Sequence, residues 1–267
     1  MIRFAITVSL VPETRGGPFV FWDGIPAACQ ASRRLGFDAV EIFPPSADAL
    51  QGVGKTLADN KVSLAAVGTG AGWVKHKLAL TSADPTGRQA AIAFVRSIID
   101  AAGEHGAPAI IGSMQGRHDG TPTAKTLLLD ALRELGEHAA KHGQPLLYEP
   151  LNRYETNLTN TLAQGVALLA EAGSPHVLLL ADLFHMHIEE DDSAAALRAA
   201  GAKVGHVHFV DTNRKPAGLG QMNYAPLAEA LRDIKYDRYL SAEAFSFPDA
   251  ERAAAKTIET FRRFFPR

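Results

Sequence analysis

Residues 144–185 read QPLLYEPLNRYETNLTNTLAQGVALLAEAGSPHVLLLADLFH: a short apolar run, turn residues, a longer stretch of helical period, and a second apolar run. That unit recurs along the chain. Short runs rich in Val, Ile, Leu and Ala at 2–10, 39–43, 64–69, 109–114, 146–151, 177–182, 204–210 and 239–245 are expected as strands. Their length, their flanking Gly and Pro, and the helical stretches between them decide against buried helix.

The helices carry their own punctuation. Asp84 stands where an N-cap belongs, with Pro85 at the first helical position, and that helix is expected to end near Gly106. Leu128, Leu132 and Leu135 share one face of the next, with Gly143 expected as its C-cap; Gly36 closes the first helix likewise. Strand alternating with amphipathic helix, without a composition break or a Pro/Ser-rich linker, implies parallel strands joined by crossover helices. Eight units of about 33 residues each match a minimal closed barrel. The expected fold is therefore an α/β, single (β/α)8 TIM barrel, with residues 1–267 as one domain.

Composition narrows the partners. Lys and Arg number 27 against 29 Asp and Glu, a net charge of −2, so there is no basic field for phosphate backbones and no nucleic acid is expected. The single Cys29 closes no intramolecular disulfide, and residues 1–17 carry neither the apolar length nor the small-residue cleavage pattern of a signal peptide. A cytoplasmic location is expected. No stretch reaches the roughly 18 uninterrupted apolar residues of a membrane span, so no membrane partner is expected either. Such barrels commonly associate, and a homo-oligomer is expected.

In a closed barrel of this kind the chemistry lies at the carboxyl ends of the strands. Four successive strand ends carry an ionisable group inside an apolar run: Glu149 in LLYEPLN, Asp182 in LLLADLFH, His208 in GHVHFVD and Glu243 in YLSAEAF. A buried charge is costly unless paired or bound to a cation. Separate salt bridges to Lys or Arg are the alternative for any one of the four; a shared cation is the economical account of all four together. Three carboxylates and one imidazole make a hard, oxygen-rich set suited to one divalent cation, Mn²⁺ first, with Mg²⁺ or Co²⁺ as alternatives. His206, two residues before His208 and on the same strand face, is placed beneath that set.

The carboxyl half also resembles a known family. EPLNRYETNLTNT (149–161), DLFHMHIEE (182–190), HVHFVDTNRKPAGLGQMNY (206–224) and SAEAF (241–245) are similar to strand-end segments of ketose 3-epimerases of the D-tagatose/D-allulose 3-epimerase type. That group belongs to the xylose-isomerase-like TIM-barrel sugar isomerase/epimerase superfamily. The resemblance covers about 144–247, with seven polar positions in order. It implies Glu149, Asp182, His208 and Glu243 as metal ligands, Glu149 and Glu243 also as the catalytic acid/base pair, and Glu155, His185 and Arg214 as substrate-binding residues. Read from the sequence alone, Glu155 also suits a helix start or surface ion pair, and His185 and Arg214 suit ordinary loop positions. The amino-half loops SLVPETRGGPFVFWDG (9–24) and GSMQGRHDG (112–120) do not resemble those of free-ketose epimerases.

The chemistry implied is C3 epimerisation of a small ketose or keto-acid through a metal-stabilised enediolate, a base on one face and an acid on the other. A hydroxypyruvate-type aldose–ketose isomerase and a dehydratase of the inosose or dehydroshikimate type share that chemistry. A barrel nuclease would want more His and Asp ligands and a basic surface; a sugar-binding protein without turnover would not keep the Glu149/Glu243 pair. Gln115 and Arg117 are candidates to meet a substrate acid or phosphate, 216–221 a loop over the pocket, and Phe19, Phe21, Trp22 and Trp73 walls of its mouth. The acidic run 189–192 is expected to start the sixth helix of the barrel.

Overall fold

In the computed structural model, which describes residues 1–266, the apolar runs form β1 (Arg3–Ser9), β2 (Ala39–Phe43), β3 (Ser63–Gly68), β4 (Ala109–Ile111), β5 (Leu146–Tyr148), β6 (Val177–Asp182), β7 (Val204–His208) and β8 (Tyr239–Ser241). Every neighbouring pair is parallel, and β1 bonds to both β2 and β8, so the sheet closes in chain order. Arg3 fastens the seam: its guanidinium donates to the Tyr239 hydroxyl at 2.8 Å and lies over that ring. The expected closed barrel is the observed one.

The crossovers contain α1 (Ile25–Leu35), α2 (Val53–Asn60), α3 (Ala71–His76), α4 (Pro85–Gly103), α5 (Thr123–Ala140), α6 (Leu162–Ala172), α7 (Leu183–Glu189), α8 (Ser193–Ala200) and α9 (Tyr224–Asp233); α10 (Ala250–Phe264) follows β8. Their local signals act as the sequence implies. Asp84 caps α4 by accepting from the N–H groups of Thr86 and Gly87, and Gly36 takes the left-handed conformation that ends α1. Two boundaries differ. Helix α4 stops at Gly103, and α5 stops at Ala140, with Gly143 at positive φ closing the turn beyond instead of capping the helix itself. The acidic run is split as well: Asp192 caps α8, whereas Glu189 ends α7 and grips Arg153, and Glu190 accepts from Leu162 N–H at the start of α6.

Strands β4, β5 and β8 are three residues long, shorter than their apolar runs. Beyond them the backbone peels away from the sheet, as in the 3₁₀ turn Ser113–Gln115 after β4, and the remaining apolar residues line loops. Along each strand alternate residues face opposite ways. One set, with Phe4, Ile6, Val8, Ile42, Ile111, Leu179 and Val207, packs beneath the helices in the main core. The other set forms small separate clusters, Ala66, Ile110, Leu147 and Leu180 in one, Ala5, Ala39, Ala65 and Tyr239 in another. Two residues further along those inward tracks stand Glu41 (from Ala39), Glu149 (from Leu147) and Asp182 (from Leu180). The pleat alone therefore aims these groups into the barrel mouth.

Leu132 on α5 is fully buried in the main core. Leu132→Ala is expected to lower unfolding free energy by about 2–5 kcal/mol, read from urea denaturation, through lost transfer energy plus the cavity left behind.

Candidate active site

The inward residues meet at the carboxyl ends of the strands, at the floor of a cavity of about 780 Å³. Glu41, Glu149, Glu155, His208, Arg214 and Glu243 line it, with Phe43, Phe19 and Trp73 among its apolar walls. His208 is the hub. Its Nδ1 stands 3.2 Å from Asp182 Oδ2, 3.7 Å from Glu149 Oε1 and 3.8 Å from Glu243 Oε2. One ligand atom from each of Glu149, Asp182, His208 and Glu243 falls within 4.8 Å of the others, so the structure brings together the four strand-end groups the sequence singles out.

Two features of this cluster fit a cation. Glu149 Oε1 is buried with no hydrogen-bond partner among the described residues, which leaves a carboxylate oxygen unsatisfied unless something positive meets it. Burial and the neighbouring charges of Glu243 and Asp182 also raise the Glu149 carboxyl well above the usual range, against the pull of His208 and Arg214. Burial likewise raises Glu243, although Arg214 and His208 oppose it. Asp182 goes the other way: burial is outweighed by His185, His208 and Arg214, and its carboxyl is held low. Its oxygens divide their work, Oδ1 accepting from Phe184 N–H at 2.7 Å to cap α7, Oδ2 facing His208.

Sequence reasoning missed Glu41. Its Oε1 lies 3.0 Å from His208 Nε2 and its Oε2 lies 2.8 Å from His206 Nε2, so one carboxylate braces both imidazoles from below. Burial alone would raise Glu41, but His208 and His206 hold it well below the usual carboxylate range, and in return His208 is raised despite its own burial. The signal was available: Glu41 is an acid inside the apolar strand DAVEIF, the same anomaly that marks Glu149, Asp182 and Glu243. A carboxylate behind a ligating histidine fixes the ring and its tautomer, here Nε2–H toward Glu41 and Nδ1 toward the carboxylates.

His185 is fully enclosed on α7, and burial lowers its imidazole to about 4, so it is neutral at pH 7. Its tautomer follows from its neighbours. Asn152 N–H donates to His185 Nδ1 at 3.2 Å, and the Asn152 amide nitrogen stands 2.7 Å from the same atom, so Nδ1 accepts and Nε2 carries the hydrogen. Among the described residues that Nε2 has no hydrogen-bond partner; it lies 3.8 Å from Glu149 Oε1 and 3.9 Å from Asp182 Oδ2. A neutral N–H donor is thus aimed at the space between two carboxylates. Arg214 joins the rim, its guanidinium on Glu243 and within 3.5 Å of Glu155 Oε1 and 3.8 Å of Asp182 Oδ2. Glu155 also accepts from the Asn152 amide at 3.2 Å.

Loop expectations divide. Arg117 lines the cavity, but Gln115 is fully buried, accepting from the Tyr148 hydroxyl and donating to Gly112 and Glu149 carbonyls, so it fastens β5 to β4 and offers nothing to a ligand. The 216–221 loop is drawn away from the cavity. Asp211 accepts from Thr212, Gly218 and Met222 N–H and from the Tyr224 hydroxyl, and Thr260 donates to the Ala217 carbonyl. Gly112 serves the site by its size: a Cβ there would stand 2.6 Å from Glu149 Oε2. Phe19 and Trp73 line the cavity, whereas Trp22 packs edge-on against Phe19 behind it.

A family model described as a xylose isomerase-like TIM barrel matches residues 29–264. The chain is 37% identical over 135 residues to the L-ribulose 3-epimerase of Mesorhizobium japonicum, a match covering 51% of this chain and 46% of that protein. It is 32% identical over 227 residues to the D-psicose 3-epimerase of Agrobacterium fabrum, covering 79% and 76%. The chain spans about half the length, or less, of the first curated relatives it matches. In fold it is similar to the D-allulose 3-epimerase of Methylomonas sp. in complex with D-allulose, with a TM-score of 0.83, 23% identity and coverage of 99% of this chain and 97% of that one.

Glu41→Gln removes the anion behind His208 while keeping its size. If His208 holds a divalent cation, the variant is expected to fold and to bind it about 10–100-fold more weakly in a calorimetric titration, as loss of a carboxylate behind a ligating histidine typically does.

Proposed function

The chain belongs to the xylose isomerase-like TIM barrel family, and on the geometry of its cavity we propose that it is a ketose 3-epimerase. The observation that carries this reading is the pairing of Glu149 with Glu243 across a cluster that also holds an unpartnered neutral His185 N–H. The two carboxylates leave β5 and β8, with β6 and β7 between them, and reach the same imidazole nitrogen within 3.7 and 3.8 Å. Epimerisation needs such a pair, because the proton must leave one face of the carbon and return to the other.

Glu149, Asp182, His208 and Glu243 would hold one divalent cation, proposed as Mn²⁺ with Mg²⁺ or Co²⁺ as alternatives, and when bound it supplies Lewis-acid stabilisation of the oxyanion that develops as the proton leaves. Glu149 is assigned as the base at one face of C3. Glu243, held in place by Arg214, returns a proton from the opposite side. His185 donates Nε2–H to a substrate oxygen near the reacting carbon, and its Asn152 partner stops the ring from flipping to the other tautomer. Glu155, exposed at the rim, and Arg214, mostly buried beside it, bind the more distant hydroxyls.

The substrate is proposed as a small ketose. Arg15 and Arg117 on the cavity wall favour, as a second reading, a substrate carrying a carboxylate or phosphate, the keto-acid isomerase alternative. Residues 1–267 are taken as one functional domain, acting as a homo-oligomer in the cytoplasm. Among the described residues no helix is long and apolar enough to cross a membrane.

Incubation with Mn²⁺ and a series of free and phosphorylated ketoses in deuterated water, followed by NMR, is expected to show deuterium entering at C3. Exchange at C1 without C3 overturns the epimerase reading. Glu149→Gln and Glu243→Gln are each expected to cut turnover by about 10²–10⁴-fold, the usual contribution of general acid–base catalysis.

A further inference from the structure

A second group of metal-ligating side chains lies away from the cavity, where α4 and α5 end. Asp100 is on the last turn of α4, His138 on the last turn of α5, and His142 four residues further on. The chain keeps turning past the end of α5, because Lys141 and His142 donate their N–H groups to the carbonyls of His138 and Ala139. Both imidazoles therefore stand on one side and meet the same carboxylate oxygen: Asp100 Oδ1 is 2.6 Å from His138 Nε2 and 2.8 Å from His142 Nε2.

The arrangement is seated in the fold. A Cβ on Gly103 would come within 2.6 Å of His142 Cβ and Nδ1, so the absence of a side chain there lets the ring lie against the α4 backbone. The side chains of His138, His142 and Asp100 are 14%, 27% and 48% exposed, closed on one side by protein and open to water on the other. One ligand atom from each lies within 4.8 Å of the others. A carboxylate oxygen only accepts, so each Nε2–H donates to Asp100 Oδ1; a cation bound here would take the two Nε2 atoms, with the ring hydrogens moved to Nδ1.

We propose that Asp100, His138 and His142 form a second divalent-cation site, for Zn²⁺, that ties α4 to α5. Two imidazoles at i, i+4 and one carboxylate are a nitrogen-rich set of borderline softness, and three protein ligands leave a fourth tetrahedral position for water. The carboxyl termini of two helices converge there, adding partial negative charge that favours a cation. The site differs from the cavity in both place and chemistry. Helix α4 leads into β4 and α5 into β5 at their amino ends, the face opposite the cavity, and the cavity offers three carboxylates to one imidazole.

The test is equilibrium dialysis of the metal-stripped full chain against Zn²⁺, with bound metal counted by elemental analysis. Wild type is expected to hold two equivalents and the His138→Gln/His142→Gln double variant one, with its Mn²⁺-supported turnover unchanged. Asp182→Asn/His208→Gln is expected to retain the peripheral equivalent. Equal Zn²⁺ binding by wild type and the His138→Gln/His142→Gln variant overturns the proposal, as does loss of all binding in a folded Asp182→Asn/His208→Gln variant. Should the double histidine variant unfold by circular dichroism, Asp100→Asn carries the test: Zn²⁺ is expected to raise the thermal midpoint of wild type, and Asp100→Asn to lose the peripheral site's share of that increment and keep the cavity's, while an equal increment in both overturns the site.

Discussion

The His208 imidazole is held between two carboxylates, Glu41 at 3.0 Å on one nitrogen and Asp182 at 3.2 Å on the other, and the rest of the cavity floor is arranged around that clamp. Were the ring free to rotate, Nδ1 would not face Glu149, Asp182 and Glu243 together. Glu41 prevents this from β2, on the far side of the barrel from β7, so the orientation of one side chain depends on closure of the whole sheet. The same carboxylate also engages His206, so neither of its oxygens is left to solvent or to the substrate space. Its function is positional.

Charge balance explains why this floor needs more than protein. Glu41, Glu149, Asp182 and Glu243 bring four carboxylates into a buried space in which Arg214 supplies the permanent positive charge. Interior carboxylates without compensation either take up protons or attract a cation. The upward shift of Glu149 and Glu243 is the first response, and the unpartnered Glu149 oxygen marks where the second acts. A divalent ion brings this group of charges close to neutrality without disturbing the Glu41–His208 pair, which lies on the other side of the ring.

The barrel and most of this floor are legible in the sequence for one reason: the period of a strand is short and strict. Glu149 and Asp182 sit at inward positions because Leu147 and Leu180 do, and an acid in such a run stands out from its apolar neighbours. Glu41 obeys the same rule but lies on the second strand, outside the cluster of motifs in the carboxyl half, and its partner histidines are more than a hundred residues away. Long-range pairs of this kind leave no local trace. The same holds for Gln115, whose exposed-looking sequence context hides a buried amide bridging two strands, and for the 216–221 loop, whose glycines read as mobility but are anchored on Asp211. The apolar runs at β4, β5 and β8 outlast their strands because apolar residues persist after the ladder ends. Burial beneath loops and burial in a sheet have the same composition.

Asp182 shows how tightly fold and site are joined. One of its oxygens caps α7 through the N–H groups of Phe184 and His185, and the other faces His208. Capping is worth about 1 kcal/mol to a helix, and a short helix such as α7 depends on it. His185 rides on the first turn of that helix, so the cap that starts α7 also delivers the neutral Nε2–H to the cavity. A substitution of Asp182 by a residue that cannot cap, such as Ala, therefore removes a charge from the cluster and loosens the helix that carries a second functional group. The single carboxylate couples helix formation to site assembly, and only a change that keeps the capping oxygen while removing the charge, as Asn does, separates its two effects.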